Sequence, residues 1–184
     1  MEHLSTRQVY VMQPDGDGHF GKSAMRALRD ELRCHHTGKT HSISSRLVEL
    51  VYRAAHHFDN ARVLVVAGYR APRVARAKGN ARSHHREGIA CDFRLDGVPV
   101  PRLRDWLRAE FAGMGVGIGW YPNSGFVHLD VNRKKDGYWI DYSGPGERAR
   151  YQMDSPDRSS EDLDDELPPH APPTEVAGVE DPGL

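Results

Sequence analysis

The most informative stretch of this sequence reads Ser83-His84-His85-Arg86-Glu87-Gly88-Ile89-Ala90-Cys91-Asp92. Gly88 permits a turn that folds the chain back, so that a histidine and Asp92 can come together. Side chains alternate between the two faces of a strand, which places Asp92 on the face of Ala90 and Cys91 on the opposite face. Cys91 is therefore a poor ligand candidate. The spacing alone leaves His84 and His85 open as partners of Asp92.

A second stretch of similar character reads Gly125-Phe126-Val127-His128-Leu129-Asp130. Alternation places His128 and Asp130 on one face with Phe126, while the two aliphatic residues between them face the core. Burying such polar groups is costly unless a metal, a partner or water satisfies them. Zn²⁺ accepts imidazole nitrogen and carboxylate oxygen, and a catalytic site keeps three protein ligands. Two histidines and one aspartate from the two stretches meet that description.

Helical patterns surround these two stretches. Apolar residues recur at helical spacing in two stripes, the second preceded by a possible N-cap at Ser42 or Ser44. A third helix is predicted around Trp106, opened by Pro101 and stopped by Gly113. The apolar positions that define the three helices are Met25, Leu28 and Leu32, then Ile43, Leu47, Leu50, Val51, Ala54 and Phe58, then Leu103, Leu107 and Phe111.

Strands are predicted between and after the helices. The β-branched run over residues 63–67 is typical of a buried central strand, and Pro72 ends regular pairing after it. A basic loop rich in Arg, Ala and Gly then leads to Ser83. Further short strands are predicted over residues 7–13, 89–95, 116–120, 125–131 and 138–142. The fold class is therefore α+β, with a small, mostly antiparallel sheet flanked by about three helices.

The charge of the chain is unevenly distributed. Its formal net charge is −1, but residues 152–184 contain ten acidic residues against the single Arg158, which leaves about +8 on residues 1–151. The end of the chain is also rich in Pro and Ser, so it cannot bury enough apolar surface to fold. We predict one domain over residues 1–150 and a disordered acidic tail over residues 151–184. A basic body suits a polyanionic partner.

Several classes of protein are excluded by composition and motifs. Two cysteines, Cys34 and Cys91, do not form a disulfide scaffold or a CxxC metal cluster. No apolar run reaches the roughly 20 residues of a membrane helix, and the first residues lack the features of a signal peptide. No zinc knuckle, helix-turn-helix or aromatic RNA-binding motif occurs, so no nucleic-acid partner is predicted.

The two polar stretches resemble a known family. Ser83-x-His85-x-x-Gly88-x-Ala90-x-Asp92 and Phe126-Val127-His128-x-Asp130 are similar to the two metal motifs of the D-Ala-D-Ala peptidase/hedgehog fold, most closely those of YcbK-like murein endopeptidases. Further matching segments follow the family's order and cover about residues 9–142: Leu28-Arg29-Asp30, His36-Thr37-Gly38, Gly68-Tyr69-Arg70-Ala71-Pro72 and Gly117-Ile118-Gly119-Trp120-Tyr121-Pro122.

The resemblance implies a metal centre and a reaction. His85, Asp92 and His128 are expected to bind one zinc ion per chain, with His85 rather than His84 at the motif position. The implied activity is that of a metalloprotease, a hydrolase that cuts peptide cross-links in the stem peptides of peptidoglycan during cell-wall turnover. The particular bond is not evident from the residues. The resemblance further implies a location in the periplasm or cell envelope, and we expect a monomer.

Roles for the other site residues also follow from the resemblance. Arg70 matches an arginine near the substrate and is expected to hold a carbonyl oxygen or a peptide carboxylate. Ser83, His84 and Tyr121 are expected to contact substrate. Many relatives place a Glu three residues, or a His two residues, before the last ligand, where this chain has Gly125 and Phe126.

The general base is therefore left open. Asp130 shares a face with His128 and is expected to orient that ligand or to act as the base, with Glu87 and His84 as alternatives. Gly125 and Phe126, which stand where many relatives have an acid–base residue, also motivate a rival hypothesis. In it the chain is a non-catalytic, zinc-containing cell-wall binding module, as in the hedgehog signalling domain.

Overall fold

The computed structural model describes residues 1–15, 18–77 and 83–154. Within these ranges the chain forms four α-helices, namely α1 (Lys22–Glu31), α2 (Ser45–His57), α3 (Pro72–Ala77) and α4 (Val100–Glu110). Seven strands accompany them: β1 (Glu2–His3), β2 (Val63–Ala67), β3 (Ala90–Leu95), β4 (Gly117–Tyr121), β5 (Phe126–Asp130), β6 (Gly137–Asp141) and β7 (Tyr151–Met153). Short 3₁₀ helices, His84–Glu87 and Pro122–Ser124, precede β3 and β5.

The strands form one sheet in the order β1-β2-β3-β5-β4-β6-β7. The central pairs β2 with β3, β3 with β5 and β5 with β4 are antiparallel, as is β6 with β7. Only β1 with β2 and β4 with β6 run parallel among the described strands. The predicted α+β class with a mostly antiparallel sheet is therefore confirmed.

The hydrophobic core lies between one face of the sheet and helices α2 and α4. Helix α2 begins after Ser44, whose hydroxyl accepts a hydrogen bond from the backbone N–H of Leu47, which caps the helix end. The predicted apolar stripe of α2 is buried in the same core cluster as Val127 and Leu129 of β5. Since side chains alternate along β5, the burial of these two directs His128 to the other face of the sheet. None of the described helices has the length and apolarity to cross a membrane.

Two local predictions are wrong. Residues 7–13 do not form a strand: the backbone of Arg7 has φ 55°, and a single bridge joins Glu2 to Val9. Val9 and Val11 are 65% and 75% exposed, while Tyr10 and Met12 pack against the core without joining a strand ladder. The basic segment after Ala71 is helix α3 rather than a loop, because Pro72 occupies the first helical turn, where its missing N–H costs nothing. Residues 78–82 lie outside the described ranges.

The sheet extends past the predicted domain boundary at residue 150. Strand β7 pairs with β6, and the backbone N–H of Asp154 donates to the carbonyl of Tyr138 at 3.0 Å. The Asp154 carboxylate is buried and contacts the guanidinium groups of Arg104 and Arg108 on α4, the latter at 3.0 Å. Residues 151–154 are thus held by a backbone ladder and a buried ion cluster. The rest of the predicted tail, residues 155–184, lies outside the described ranges.

Removal of the Asp154 carboxylate is expected to destabilise the domain. Asp154→Ala leaves two buried guanidinium groups without their shared anion, which typically costs roughly 3–5 kcal/mol. For a chain of this size each kcal/mol lost from the free energy of unfolding lowers the melting temperature by about 2–4 °C, so we expect a drop of about 10 °C in a thermal melt. Asp96→Ala, which removes an exposed ion pair with Arg62, is the matched control and should shift the melt little. Equal melting temperatures for the two variants would contradict the structural role of Asp154.

Candidate metal centre

Two of the predicted ligands face each other across neighbouring strands. Asp92 of β3 and His128 of β5 are direct partners in the antiparallel register. Both lie on the sheet face opposite the core, as the alternation of Cys91, Val127 and Leu129 into the core requires. The strand pairing therefore places a carboxylate beside an imidazole without any contribution from a loop.

The third predicted ligand is carried by the turn before β3. His85 lies in the 3₁₀ helix His84–Glu87, which ends at Gly88 in the left-handed conformation with φ 67°. The Gly88 carbonyl accepts from the N–H of Ser44, and a Cβ at position 88 would overlap the carbonyl of Ser42. Only glycine fits this crowded, positive-φ position. The turn is tied on its other side by the N–H of Arg70, which donates to the His85 carbonyl at 3.1 Å.

The three side chains converge on one point. His85 Nε2 lies 3.1 Å from Asp92 Oδ1 and 3.2 Å from His128 Nδ1, and His128 Nδ1 lies 2.7 Å from Asp92 Oδ1. All three residues are buried. The sheet register and the turn thus bring together two segments that are about forty residues apart in sequence.

Hydrogen bonds on the far side of each ring identify the atoms that face the centre. His85 Nδ1 lies 2.7 Å from the carbonyl of Gly68, which can only accept, so Nδ1 carries the proton and Nε2 presents a lone pair. His128 Nε2 lies 3.1 Å from Asp130 Oδ2, so Nε2 donates to the carboxylate and Nδ1 presents its lone pair. Three acceptors therefore point at one another in a buried site, an arrangement that a cation would stabilise.

The donor set fits a zinc ion. Bonds of about 2.0–2.1 Å at tetrahedral angles separate neighbouring donor atoms by about 3.3 Å. Two of the three observed spacings, 3.1 and 3.2 Å, already approach that value, and the third, 2.7 Å, needs to widen by about 0.6 Å. Each imidazole is also held by an acceptor on its far nitrogen, as metal-binding histidines usually are.

Burial and neighbouring charges set the protonation of His85 and Asp92. Burial lowers the pKa of His85 to about 4, and the charge of Arg70 adds to this effect, so its imidazole is neutral near pH 7. Burial opposes ionisation of Asp92, but the positive charge of the paired Arg70 guanidinium favours it, and the pKa of Asp92 lies well below its usual value. A neutral imidazole and an ionised carboxylate are the forms that bind a metal.

Arg70 lies beside the centre. Its guanidinium pairs with Oδ2 of Asp92, the carboxylate oxygen that does not face the two histidines, and its side chain is 17% exposed. Arg70 thus forms a largely buried ion pair with a candidate ligand. Arg70 lies three residues after the end of β2, so the chain leaving this central strand brings a fixed positive charge to the site.

Asp130 lies behind His128 and is fully buried. Its carboxylate contacts His128 Nε2 at 3.1 Å, His84 Nδ1 at 3.0 Å and the guanidinium of Arg133 at 2.5 and 2.6 Å. Burial opposes its ionisation, but His128 and Arg133 outweigh burial and lower the pKa of Asp130 far below the usual range. A carboxylate with all these donors suits an orienting role better than a basic one.

An aromatic cluster of Tyr121, Phe126 and Trp139 borders the centre. The rings of Tyr121 and Phe126 stack at 4.5 Å, and Trp139 Nε1 donates to the Tyr121 hydroxyl at 3.3 Å. The ring of Trp139 lies 5.2 Å from that of His128. Burial and then the negative charge of Asp92 raise the pKa of Tyr121, which keeps its phenol protonated.

The remaining predicted site residues lie on the turn itself. Ser83 stands at the start of the 3₁₀ helix that carries the histidines and is partly buried, as is His84. Glu87 is exposed at the end of that helix.

Gly125, at the family position of a Glu, has φ 67° and closes the turn into β5, so this chain uses the position for backbone geometry.

Two contributors to the site were not predicted from the sequence. Arg133 pairs with Asp130, and the carbonyl of Gly68 orients His85. Arg133 falls three residues after Asp130 beyond the end of a strand, where alternation no longer predicts side-chain direction. A backbone carbonyl leaves no mark in residue types, so no sequence signal identifies Gly68.

Comparisons with known proteins identify relatives of this chain. A family model described as peptidoglycan L,D-endopeptidase MepK matches residues 1–136. The probable peptidoglycan L,D-endopeptidase MepK of Haemophilus influenzae is 32% identical over 120 residues, which are 61% of this chain and 63% of that protein. The peptidoglycan L,D-endopeptidase MepK of Escherichia coli K12 is 31% identical over 124 residues, 64% of this chain and 66% of that protein. The matches thus span less than two thirds of each relative's length. No solved structure matches the chain.

Proposed function

The chain belongs to the family described as peptidoglycan L,D-endopeptidase MepK, and from this we propose that it is a zinc-dependent peptidase acting on peptidoglycan stem peptides. Family membership agrees with the resemblance drawn from the two motifs. The observation that carries the proposal is the convergence of His85, Asp92 and His128, which present three acceptors to one buried point. The basic body of the domain is compatible with an anionic cell-wall polymer.

The proposed ligands are His85 Nε2, His128 Nδ1 and an oxygen of Asp92, which would hold one zinc ion per chain. Zinc at such a site acts as a Lewis acid that activates water and polarises a carbonyl at neutral pH. The protein holds the two imidazoles in orientation through the Gly68 carbonyl and Asp130. Ligands that are oriented in advance lose little entropy on binding the metal.

The neighbouring side chains supply charge and substrate contacts. We propose that Arg70 fixes Asp92 and that its positive charge stabilises the carbonyl oxygen of the substrate as that oxygen becomes negative. Asp130 is proposed to orient His128. Tyr121, Ser83 and His84 are proposed to contact the stem peptide, with the phenol of Tyr121 available as a neutral hydrogen-bond donor.

The proposed bond is an L,D peptide bond, which joins an L-configured to a D-configured centre. This assignment comes from the names of the relatives in Haemophilus influenzae and Escherichia coli. The cross-link between two diaminopimelates and the bond between L-Ala and D-Glu both fit that description. The cross-link between D-Ala and diaminopimelate joins two D-configured centres and does not fit.

A sacculus digest tests this function. The zinc-loaded full chain is expected to release muropeptides from purified sacculi, to lose this activity with a chelator and to regain it with added zinc. Purified dimers with each type of cross-link, and a monomeric stem peptide, identify the bond by mass spectrometry of the products. We expect cleavage of one L,D bond and none of the dimer joined through D-Ala.

The same digest tests the rival hypothesis of a binding module, which Gly125 and Phe126 favour because they replace acid–base residues of many relatives. If the protein binds stoichiometric zinc but releases no muropeptides, the chain is a binding module and not a peptidase. Release that continues unchanged in the chelator would contradict the zinc mechanism.

A further inference from the structure

Arg133 is bound to the buried carboxylate behind the candidate ligand His128. Its Nε donates to Asp130 Oδ1 at 2.6 Å and its Nη2 donates to Asp130 Oδ2 at 2.5 Å. Two parallel hydrogen bonds between a planar guanidinium and a carboxylate restrict both position and rotation of the carboxylate. Asp130 Oδ2 is also the oxygen that accepts from His128 Nε2. The arginine therefore controls the orientation of the group that orients the ligand.

The surrounding backbone is shaped around this arginine. Asn132, at φ 68°, reverses the chain after β5, and the N–H of Arg133 then donates to the carbonyl of Gly115 at 2.9 Å. A Cβ at Gly117 would overlap both Arg133 Nε and Asp130 Oδ2, and a Cβ at Gly137 would lie 3.1 Å from Arg133 Nη1. Glycines on two neighbouring strands thus leave the space that the ion pair occupies.

An aromatic ring holds the guanidinium from another side. The Arg133 guanidinium carbon lies 5.3 Å from the centroid of the Trp139 ring, within the range of a cation–π contact. The same ring lies 5.2 Å from the imidazole of His128. Arg133 is thus restrained by a carboxylate, an aromatic ring and its own backbone, which is more restraint than a surface arginine normally has.

We propose that Arg133 is a positioning residue of the metal centre. Its guanidinium holds the Asp130 carboxylate, and Asp130 holds His128 with Nε2 protonated and Nδ1 directed toward Asp92 and His85. The inference rests on the proposed zinc site and adds a residue outside the ligand set.

The test measures zinc affinity rather than activity alone. Arg133→Gln in the full chain is expected to raise the zinc dissociation constant about 10- to 100-fold in competition with a chromogenic chelator. Arg133→Lys keeps the charge but cannot form the two parallel bonds, so we expect an intermediate loss. Lys134→Gln, an exposed neighbour with the same change of charge, is the matched control and should bind zinc as the wild type does.

Two further measurements separate positioning from a general structural effect. The visible absorption spectrum of the cobalt-substituted protein reports the geometry of the ligands, and we expect it to change in Arg133→Gln but not in Lys134→Gln. In an Asp130→Asn background, Arg133→Gln is expected to cause little additional loss of zinc affinity, because its effect passes through Asp130.

The outcomes distinguish this inference from the proposed function. A wild-type protein that fails to bind zinc overturns the proposed function and the inference together. A wild type that binds zinc, with Arg133→Gln equal to it in affinity and cobalt spectrum, overturns only the role of Arg133. Circular dichroism at the assay temperature identifies a variant that does not fold. If Arg133→Gln does not fold, wild-type affinity in Arg133→Lys overturns the role.

Discussion

His85→Ala and His128→Ala are each expected to abolish stoichiometric zinc binding and any hydrolysis of peptidoglycan. Each substitution removes one of three donors that converge within 3.2 Å of one another, and two remaining donors do not form a closed site for zinc. Elemental analysis after dialysis measures the metal content, and the muropeptide digest measures activity. We expect less than about a tenth of the wild-type zinc content, because losing a ligand costs more than the roughly 10–100-fold associated with an outer residue.

Matched variants show whether the loss is specific. His56→Ala removes an exposed histidine of α2 and should retain full zinc and activity. Asp92→Asn keeps the size of the third donor and removes its charge, so it should lose zinc without leaving a cavity. Full metal content in either histidine variant would show that the ligand set is wrong.

Arg70→Ala is expected to lower the turnover of the zinc-loaded protein by about 10²–10³-fold, the range for removal of a group that stabilises a developing oxyanion. The substitution also removes the cation paired with Asp92, so zinc affinity should fall by a smaller factor of about 10. Assays at saturating zinc separate the two effects. A titration with zinc at fixed substrate then gives the loss of affinity on its own.

The control for Arg70 is an arginine with an exposed partner. Arg62→Ala removes an ion pair with Asp96 at the surface and should leave turnover unchanged. Arg70→Lys keeps a positive charge near Asp92 and is expected to recover part of the lost rate. If Arg70→Ala turns over substrate as fast as the wild type at saturating zinc, Arg70 has no role in the reaction.

Strand alternation made much of the site predictable. Local rules sufficed to place Cys91, Val127 and Leu129 in the core and to direct Asp92 and His128 to the opposite face, because neighbouring side chains on a strand point in opposite directions. The apolar stripes of α1, α2 and α4 could also be predicted from the sequence, because residues on the buried face of a helix recur with the helical period.

Segments whose structure depends on distant partners were harder to predict. Residues 7–13 contain a continuous apolar run, yet their pairing is limited to one isolated bridge between Val9 and Glu2. Tyr151–Met153 sits in a polar segment, yet it pairs with β6 and is followed by an ion cluster with two arginines of α4. Neither outcome is visible in local composition, because both depend on what the rest of the fold presents to the segment.

The sequence by itself determined which donor atoms are available, which face of each strand carries them and which side chains form the core. Only the tertiary structure decided which nitrogen of each imidazole faces the centre, that His84 contacts Asp130 and that Arg133 holds Asp130. The physical reason is the distance along the chain over which each effect acts. Alternation and helical periodicity act between neighbours along the chain, whereas ligand geometry depends on the register of β3 against β5 and on the docking of a turn against β2, which packing across the whole domain determines.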